Sequence, residues 1–368
     1  MKLPSTIALT LLLAACGGGA APASSPPAES KPAAASALAS ASAKPAASAS
    51  AKPATSGGAS ATGKAMSAKM AWVALTANQM LWPTAKEAGY FGKYGLNVDL
   101  QYIQGSGTAT QTQLAGDVDF TNVAGSAVVG AQAAGQDIVM VAGFLNQAIF
   151  RIMATKDINK VTDLKGKTVA VTKIGNADFF AWQTVLKKEG IKEGEIKFVN
   201  TNDAQGQVAA FSSGQVQAIA LSPPNDVLTE KVGGHLLLDI TTLKIPEQNN
   251  GMAVTRRYLN ANRPVVTAAL KASIESMARW QKDPAFIKGV IKQYLKQDDQ
   301  RFIDVGYDAY KDLWPKAPYP SKEGFQEVIE QVATQNPKAS DLKVDQLMDT
   351  SIVKELEDTG FIKQAYGS

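Results

Sequence analysis

Cysteine and histidine are nearly missing from this chain: one of each stands among 368 residues. A lone cysteine, Cys16, excludes an intramolecular disulfide, a cysteine-rich zinc site and an iron–sulfur cluster. The lone histidine, His235, opens the apolar run of "VGGHLLLD" and reads as a strand-edge residue rather than a catalyst. No nucleophile elbow or phosphate-binding P-loop is present. Two acid pairs, Asp117/Asp119 and Asp298/Asp299, lack the surroundings of general acid–base work and read as solvated turns. No catalytic residue, no metal site and no cofactor is therefore expected.

Long apolar runs are lacking at the start as well. The stretch from Ile7 to Leu13, broken by Thr10, is too short to span a bilayer, and with Lys2 before it and "LAAC" after it the pattern is that of a signal peptide. Small residues Ala14 and Ala15 before Cys16 resemble a bacterial lipobox, so residues 1–16 are expected to be a lipoprotein signal peptide with Cys16 lipidated. Residues 17–68 are almost all Ala, Ser, Pro, Gly and Lys, with "ASASAKPA" at 39–46 repeated at 47–54. Too little large apolar surface is present there to offset ordering entropy, and a disordered tether is expected. A flexible coil of about fifty residues spans about 40 Å.

Excess positive charge is confined to that tail. The whole chain carries +4; Lys2 contributes +1, and five lysines (31, 44, 52, 64 and 69) less Glu29 contribute +4, so the body from Met70 is 4 − 1 − 4 = −1. Neither a basic stripe nor interleaved aromatics follow, which argues against nucleic-acid binding.

From Met70 the chain alternates apolar strand-like runs with helical stretches. "MAWVAL" (70–75), "LNVDLQYI" (96–103), "VDFTNV" (118–123) and "DIVMVAGF" (137–144) are separated by helices near 83–93, 108–115 and 126–134. Strict alternation predicts a parallel sheet covered by helices. Gly116 and Gly135 stand where helices should stop. A second set echoes the first: "GKTVAVT" (166–172), a helix at 177–188, "IKFVNT" (196–201), a helix at 204–213 and "AIALS" (218–222). Two such lobes place a cleft at the carboxyl ends of their strands, the usual ligand position in open α/β sheets. After "GMAVT" (251–255) the chain turns helical, with Val265, Ala269, Ile274 and Met277 at helical spacing.

The runs "AKEAGYFGKYGLNVDL" (85–100), "GSGTATQTQLAGDVDF" (105–120), "DLKGKTVAVTKIGNADFFAWQTVLKKEGI" (163–191) and "SSGQVQAIALSPPNDVLTEKVGG" (212–234) resemble ABC-transporter substrate-binding lipoproteins. Within that superfamily they are most similar to the nitrate, sulfonate, taurine and thiamine-pyrimidine-precursor binding proteins. The resemblance implies an α/β, bilobal periplasmic-binding-protein fold of the second type, with two α/β lobes joined by a two-crossover hinge and a helical C-terminal region. Lobe one would be 70–147 plus 248–368 and lobe two 153–243. It also implies capture of a small-molecule solute by hinge closure and delivery to an ABC permease with its ATPase. The expected protein is a monomer held to a bacterial membrane, in the periplasm or outside the cell envelope, by the lipid on Cys16.

Candidate ligand contacts follow the strands. Gly105, Ser106, Gly107 and Thr108 open a helix, where glycine permits close backbone approach and the first-turn N–H groups attract acceptors. Across the cleft, "TKIGNADFF" (172–180) offers Thr172, Asn176 and Ala177, while Lys173 is expected to face solvent. Asn78, Gln79 and Trp82 follow the first strand, Asn122 and Ser126 the third, and Ser222 and Asn225 flank Pro223 and Pro224. "NQAIF" (146–150) and "PEQNNG" (246–251) are expected to be hinge, with Asn146 and Asn250 the residues most open to another role. Two alternatives stand beside the importer reading. One is a sensory module of the same fold. The other is a pyrimidine-precursor biosynthetic enzyme, whose relatives in yeast depend on a cysteine- and histidine-rich iron site that this chain cannot copy.

Overall fold

The computed structural model describes residues 66–367, apart from the side chain of Glu193. The expected signal peptide, Cys16 and the tether up to residue 65 lie outside the described residues. Ten strands are present: β1 (Met66–Trp72), β2 (Leu96–Tyr102), β3 (Phe120–Val123), β4 (Ile138–Gln147), β5 (Arg151–Ala154), β6 (Thr168–Val171), β7 (Lys197–Asn200), β8 (Ala218–Leu221), β9 (His235–Asp239) and β10 (Pro246–Thr255). They form two five-stranded sheets, ordered β2-β1-β3-β10-β4 and β7-β6-β8-β5-β9.

Neither sheet is purely parallel, which corrects the sequence expectation. β1 pairs in parallel with β2 and β3, and β6 with β7 and β8, through helical crossovers. β10 runs antiparallel to both β3 and β4, and β5 antiparallel to both β8 and β9. The exceptions, β5 and β10, are the first strands after each crossing between the sheets. The chain passes from the first sheet to the second between β4 and β5 and returns between β9 and β10, so these strands enter from the opposite direction.

Two further differences concern boundaries. Residues 66–68, assigned to the tether, are the first residues of β1, where Met66, Ser67 and Ala68 register with Leu96, Asn97 and Val98. Residues 246–251, read as hinge, belong to β10, and all but Pro246 are buried. A run of amides and a carboxylate carries no apolar signal, yet it is buried and pairs with β4 at Pro246 and Asn250 before the two-edged pairing that starts at Gly251.

The first sheet packs one face on the C-terminal helices. In the helix Arg263–Lys282, Val266, Ala269, Leu270, Ile274, Met277 and Trp280 are buried at spacings of three and four, as an amphipathic helix requires. A second apolar cluster joins Val123, Met140 and Ala253 of the first sheet to Ile152, Val169 and Val171 of the second. The helices Ala177–Lys188 and Lys322–Ala333 also feed it through Phe180, Trp182, Phe325 and Ile329.

β10 lies so close to β4 that a Cβ on Gly251 would sit 2.2 Å from the Ala142 carbonyl oxygen and 2.5 Å from the Met140 sulfur. Gly251→Ala is therefore expected to destabilise the protein by about 1–3 kcal/mol, read as a lower urea midpoint at unchanged slope. An unaltered midpoint would show that β10 shifts freely against β4.

Candidate functional site

Loops after β1, β2 and β3 face loops after β6, β7 and β8 across a partly open cavity. Its volume, measured as room for the centres of water-sized spheres, is about 140 Å³. One water needs about 10–15 Å³ on that measure, so a small organic molecule fits.

The wall on the first-sheet side starts with Thr76, Asn78 and Gln79, then Gln104, Gly105 and Ser106, then Ser126. Gly105 has φ 85° and its N–H donates to the Val73 carbonyl at 2.9 Å, a conformation that glycine adopts without penalty. Ser106 opens the helix Ser106–Ala115, whose first turn has no side-chain cap. Its hydroxyl instead accepts from the Ala124 N–H at 3.2 Å, tying this loop to the start of the uncapped helix Gly125–Ala133. Two helix N-termini are thereby held together on this wall, both electropositive.

The opposite wall is built on Asp178. Its carboxylate accepts from the Thr172 N–H at 2.5 Å, the Thr172 hydroxyl at 2.8 Å and Gln207 Nε2 at 3.0 Å. Thr172 Oγ1 in turn accepts from Asn176 Nδ2 at 3.0 Å. Thr172, Asn176, Ala177 and Gln207 thus line the cavity as one fixed unit. Asp203 caps the helix Ala204–Ser212 through the Gly206 N–H at 2.7 Å.

Bonds cross between the walls. Gln104 Nε2 donates to Asp203 Oδ2 at 3.0 Å and to the Asn202 carbonyl at 3.3 Å. Thr76 Oγ1 donates to the Pro223 carbonyl at 2.9 Å, which also accepts from the Tyr310 hydroxyl at 3.0 Å. Asn225 Nδ2 donates to the Leu75 carbonyl at 3.3 Å. Outside the cavity, Arg301 pairs with Glu230 and Lys231 with Asp299, holding the helix Gln300–Asp308 against the helix Asn225–Lys231.

Of the residues singled out in the sequence, Asn78, Gln79, Gly105, Ser106, Ser126, Thr172, Asn176, Ala177, Ser222 and Asn225 line this cavity. Gly107 and Thr108 line the wider outer mouth, as does the exposed Lys173. Trp82 and Asn122 are placed elsewhere. The Trp82 ring is fully buried, packs edge-on to Phe144 and donates from Nε1 to Ser273 Oγ at 3.1 Å, so it anchors the core instead. Asn122 lies inside β3 between β1 and β10, completely buried. Asn146 lines neither space and donates to the Tyr319 carbonyl.

Sequence reading missed Gln104, Asn202, Asp203, Gln207 and Asn249, and had Asn250 in a hinge segment as a residue open to another role. Asn202 and Asp203 follow β7 as Gly105 and Ser106 follow β2, a correspondence that the internal echo makes available. Gln207 sits inside a helix, where no local signal marks it.

Two buried acids influence each other here: Asp178, which lines the cavity, and Glu247 of β10. Burial pushes the Asp178 carboxyl up to about 6 against the pull of its Thr172 hydrogen bonds. Glu247 of β10 is pushed up to about 7, again by burial, with the Asn249 amide opposing and the Asp178 charge adding. Both folded values are raised, so the folded state binds protons that the unfolded chain releases. The resulting penalty is absent below about pH 4 and complete above about pH 7. Glu247→Gln removes its share, and its stability relative to the parent is expected to be greater at pH 8 than at pH 5, read by urea unfolding. A gap that does not change with pH would mean that Glu247 does not titrate in this window.

Comparison with known proteins places the chain. The family model described as NMT1/THI5 like matches residues 77–286. A binding protein of Brucella abortus is 25% identical over 219 residues, covering 58% of this chain and 67% of that protein. Among solved structures, the alkanesulfonate-binding protein SsuA of Xanthomonas axonopodis superposes with a TM-score of 0.62 at 21% identity, covering 78% of this chain and 96% of that one. The nitrate-binding protein NrtA of Synechocystis gives 0.65 at 15% identity, covering 80% and 89%. These neighbours share the periplasmic-binding-protein architecture, two α/β sheets with a helical C-terminal region. By its sequence the chain is a member of the NMT1/THI5-like family.

Proposed function

We propose that this protein is the extracytoplasmic solute-binding component of an ABC importer. It captures one small solute between two lobes by hinge closure, presents it to a membrane permease and converts nothing. The observation that carries this reading is the cavity itself: it is walled by loops from both sheets and bridged by hydrogen bonds from side to side. Such a site encloses a molecule, and it opens if the two crossings flex. The lobes would be 70–147 plus 248–368 and 153–243, with Gly105, Ser106, Thr172, Asn176 and Asn225 among the contacts. Names given to the neighbours, alkanesulfonate-binding and nitrate-binding, and to the Brucella relative, a binding protein, support capture over catalysis.

Cys16 would carry a lipid, the following residues would act as a leash, and the protein would work as a monomer at the outer face of a bacterial membrane. Among the described residues no helix is long and apolar enough to cross a membrane. On this reading, attachment rests on the acylated cysteine.

The test is a thermal-shift screen of small solutes against the purified protein, followed by recovery of each hit. A solute that binds only the folded state raises the melting temperature, by about 2.7 kcal/mol of stabilisation at a hundredfold excess over Kd. The hit is expected to be recovered unchanged; multiple turnover into a product would overturn the proposal. For the site, Ser106→Ala combined with Asn176→Ala is expected to weaken binding about tenfold, since each lost neutral hydrogen bond is worth ~0.5–1.5 kcal/mol. Undiminished affinity in the double variant would move the site elsewhere.

A further inference from the structure

Besides Asn78 Oδ1, three amide oxygens of cavity-lining side chains are buried with no hydrogen-bond partner: Gln207 Oε1, Asn225 Oδ1 and Asn250 Oδ1. These residues are 1%, 2% and 2% exposed. In each, the amide nitrogen is held by a protein oxygen that accepts: Asp178 Oδ2 at 3.0 Å, the Leu75 carbonyl at 3.3 Å and the Asn78 carbonyl at 3.1 Å. Turning any of these amides over would set oxygen against oxygen, so the free end is the carbonyl. Each leaves an unpartnered buried acceptor on a residue that lines the cavity.

Charge on the same wall has one sign. Asp178 and Asp203 line the cavity, and no Lys, Arg or His does; Lys173 stands at the outer mouth, exposed. An oxyanion with acceptors alone would leave the three amide oxygens unpaired and bring negative charge beside two carboxylates. A solute carrying N–H groups satisfies the oxygens and is attracted by the acids. Opposite, the uncapped starts of the helices Ser106–Ala115 and Gly125–Ala133 offer N–H groups to whatever acceptor atom the solute also carries.

We propose that this cavity selects net-neutral or cationic organic solutes that donate N–H hydrogen bonds, and rejects simple oxyanions such as sulfonate and nitrate. The inference rests on the reading of this chain as a solute-binding protein and names the chemical class of its solute. The donors meet Gln207, Asn225 and Asn250, and the acids Asp178 and Asp203 set the sign of charge.

Matched probes of equal shape test it on the whole protein: acetamidine against acetate, benzamidine against benzoate, and phenylguanidine against benzenesulfonate. They are compared at equal millimolar concentration and ionic strength by thermal shift, then by titration calorimetry. In at least one pair the N–H member is expected to raise the melting temperature and to bind about tenfold or more tightly than its oxyanion, since an unpaired buried acceptor carries a penalty equivalent to that factor. An oxyanion that binds as well as its partner overturns the selectivity while the solute-binding reading stands. Absence of a shift with every N–H probe overturns the selectivity too. Conversion of a bound N–H probe into product would instead leave the selectivity standing and overturn the binding reading. Asn225→Leu is expected to reduce the ratio of N–H-probe affinity to oxyanion affinity about fivefold or more, whatever the loss of its bond to the Leu75 carbonyl costs both probes. An equal ratio in variant and parent would overturn the assignment of Asn225 as an acceptor.

Discussion

The pairing of β10 on both of its edges is the constraint on which the site depends. Every residue from Glu247 to Val254 is buried, and Gly251, Met252 and Ala253 pair with β3 on one edge and β4 on the other, so the chain returns from the second sheet as a buried strand rather than as a free linker. Gln248 reinforces it: its amide donates to the Asn250 carbonyl at 2.9 Å and its oxygen accepts from the Ser321 N–H at 2.8 Å. Gly125 has no room for a side chain because Gln248 lies against it. The start of one cavity-facing helix, the return crossing and the C-terminal region are thus fitted around one amide. Because β10 is fixed, Asn249 and Asn250 reach the base of the cavity from a position that neither jaw controls.

A cleft of this kind has two demands to reconcile. Its walls must be polar to hold a polar solute, yet each polar group removed from water needs a partner. The second-sheet wall answers with a chain of bonds, Asn176 to Thr172 to Asp178 with Gln207 joining, so that these side chains are already oriented. What is left unpaired is correspondingly informative, because it is left on the same chemical side, as acceptors. Bonds from Thr76, Gln104, Asn225 and Tyr310 cross between the two sides, together with two ion pairs and a shared apolar cluster. Exposed ion pairs are worth about 0–1 kcal/mol each, so the apolar cluster and the buried bonds are the larger share of what holds the two sides together.

Much of the secondary structure was legible from periodicity and punctuation. The helix Ala177–Lys188 agrees residue for residue with its expectation, and Gly116 ends the helix Ser106–Ala115 at φ 89°, as its place after a helical run required. The jaws Gly105–Ser106 and Thr172–Asn176 were legible too, since both follow a strand and open a helix. Trp82 shows the limit of that rule. It lies in the right loop region, but it begins a buried helix whose face turns to Ser273 and Phe144, partners distant in the chain. Asn122 shows the same limit: the expectation that it follows the third strand fails because it lies within the run 118–123, and in β3 it is buried between β1 and β10.

Sequence alone determined the α/β class, the repeated design, the two loops that begin the jaws and the near-absence of residues suited to catalysis, because each of these is written in local order and composition. Tertiary structure decided which strand runs antiparallel, that an amide-rich stretch becomes the buried strand β10, and that Gln207, Asn225 and Asn250 turn their nitrogens to protein oxygens and leave their carbonyls free. Those outcomes depend on partners far apart in the chain, 150 residues apart for Asn225 and Leu75 and 172 for Asn250 and Asn78. A sequence states what an amide is able to bond; only the folded chain settles which end of it is already taken.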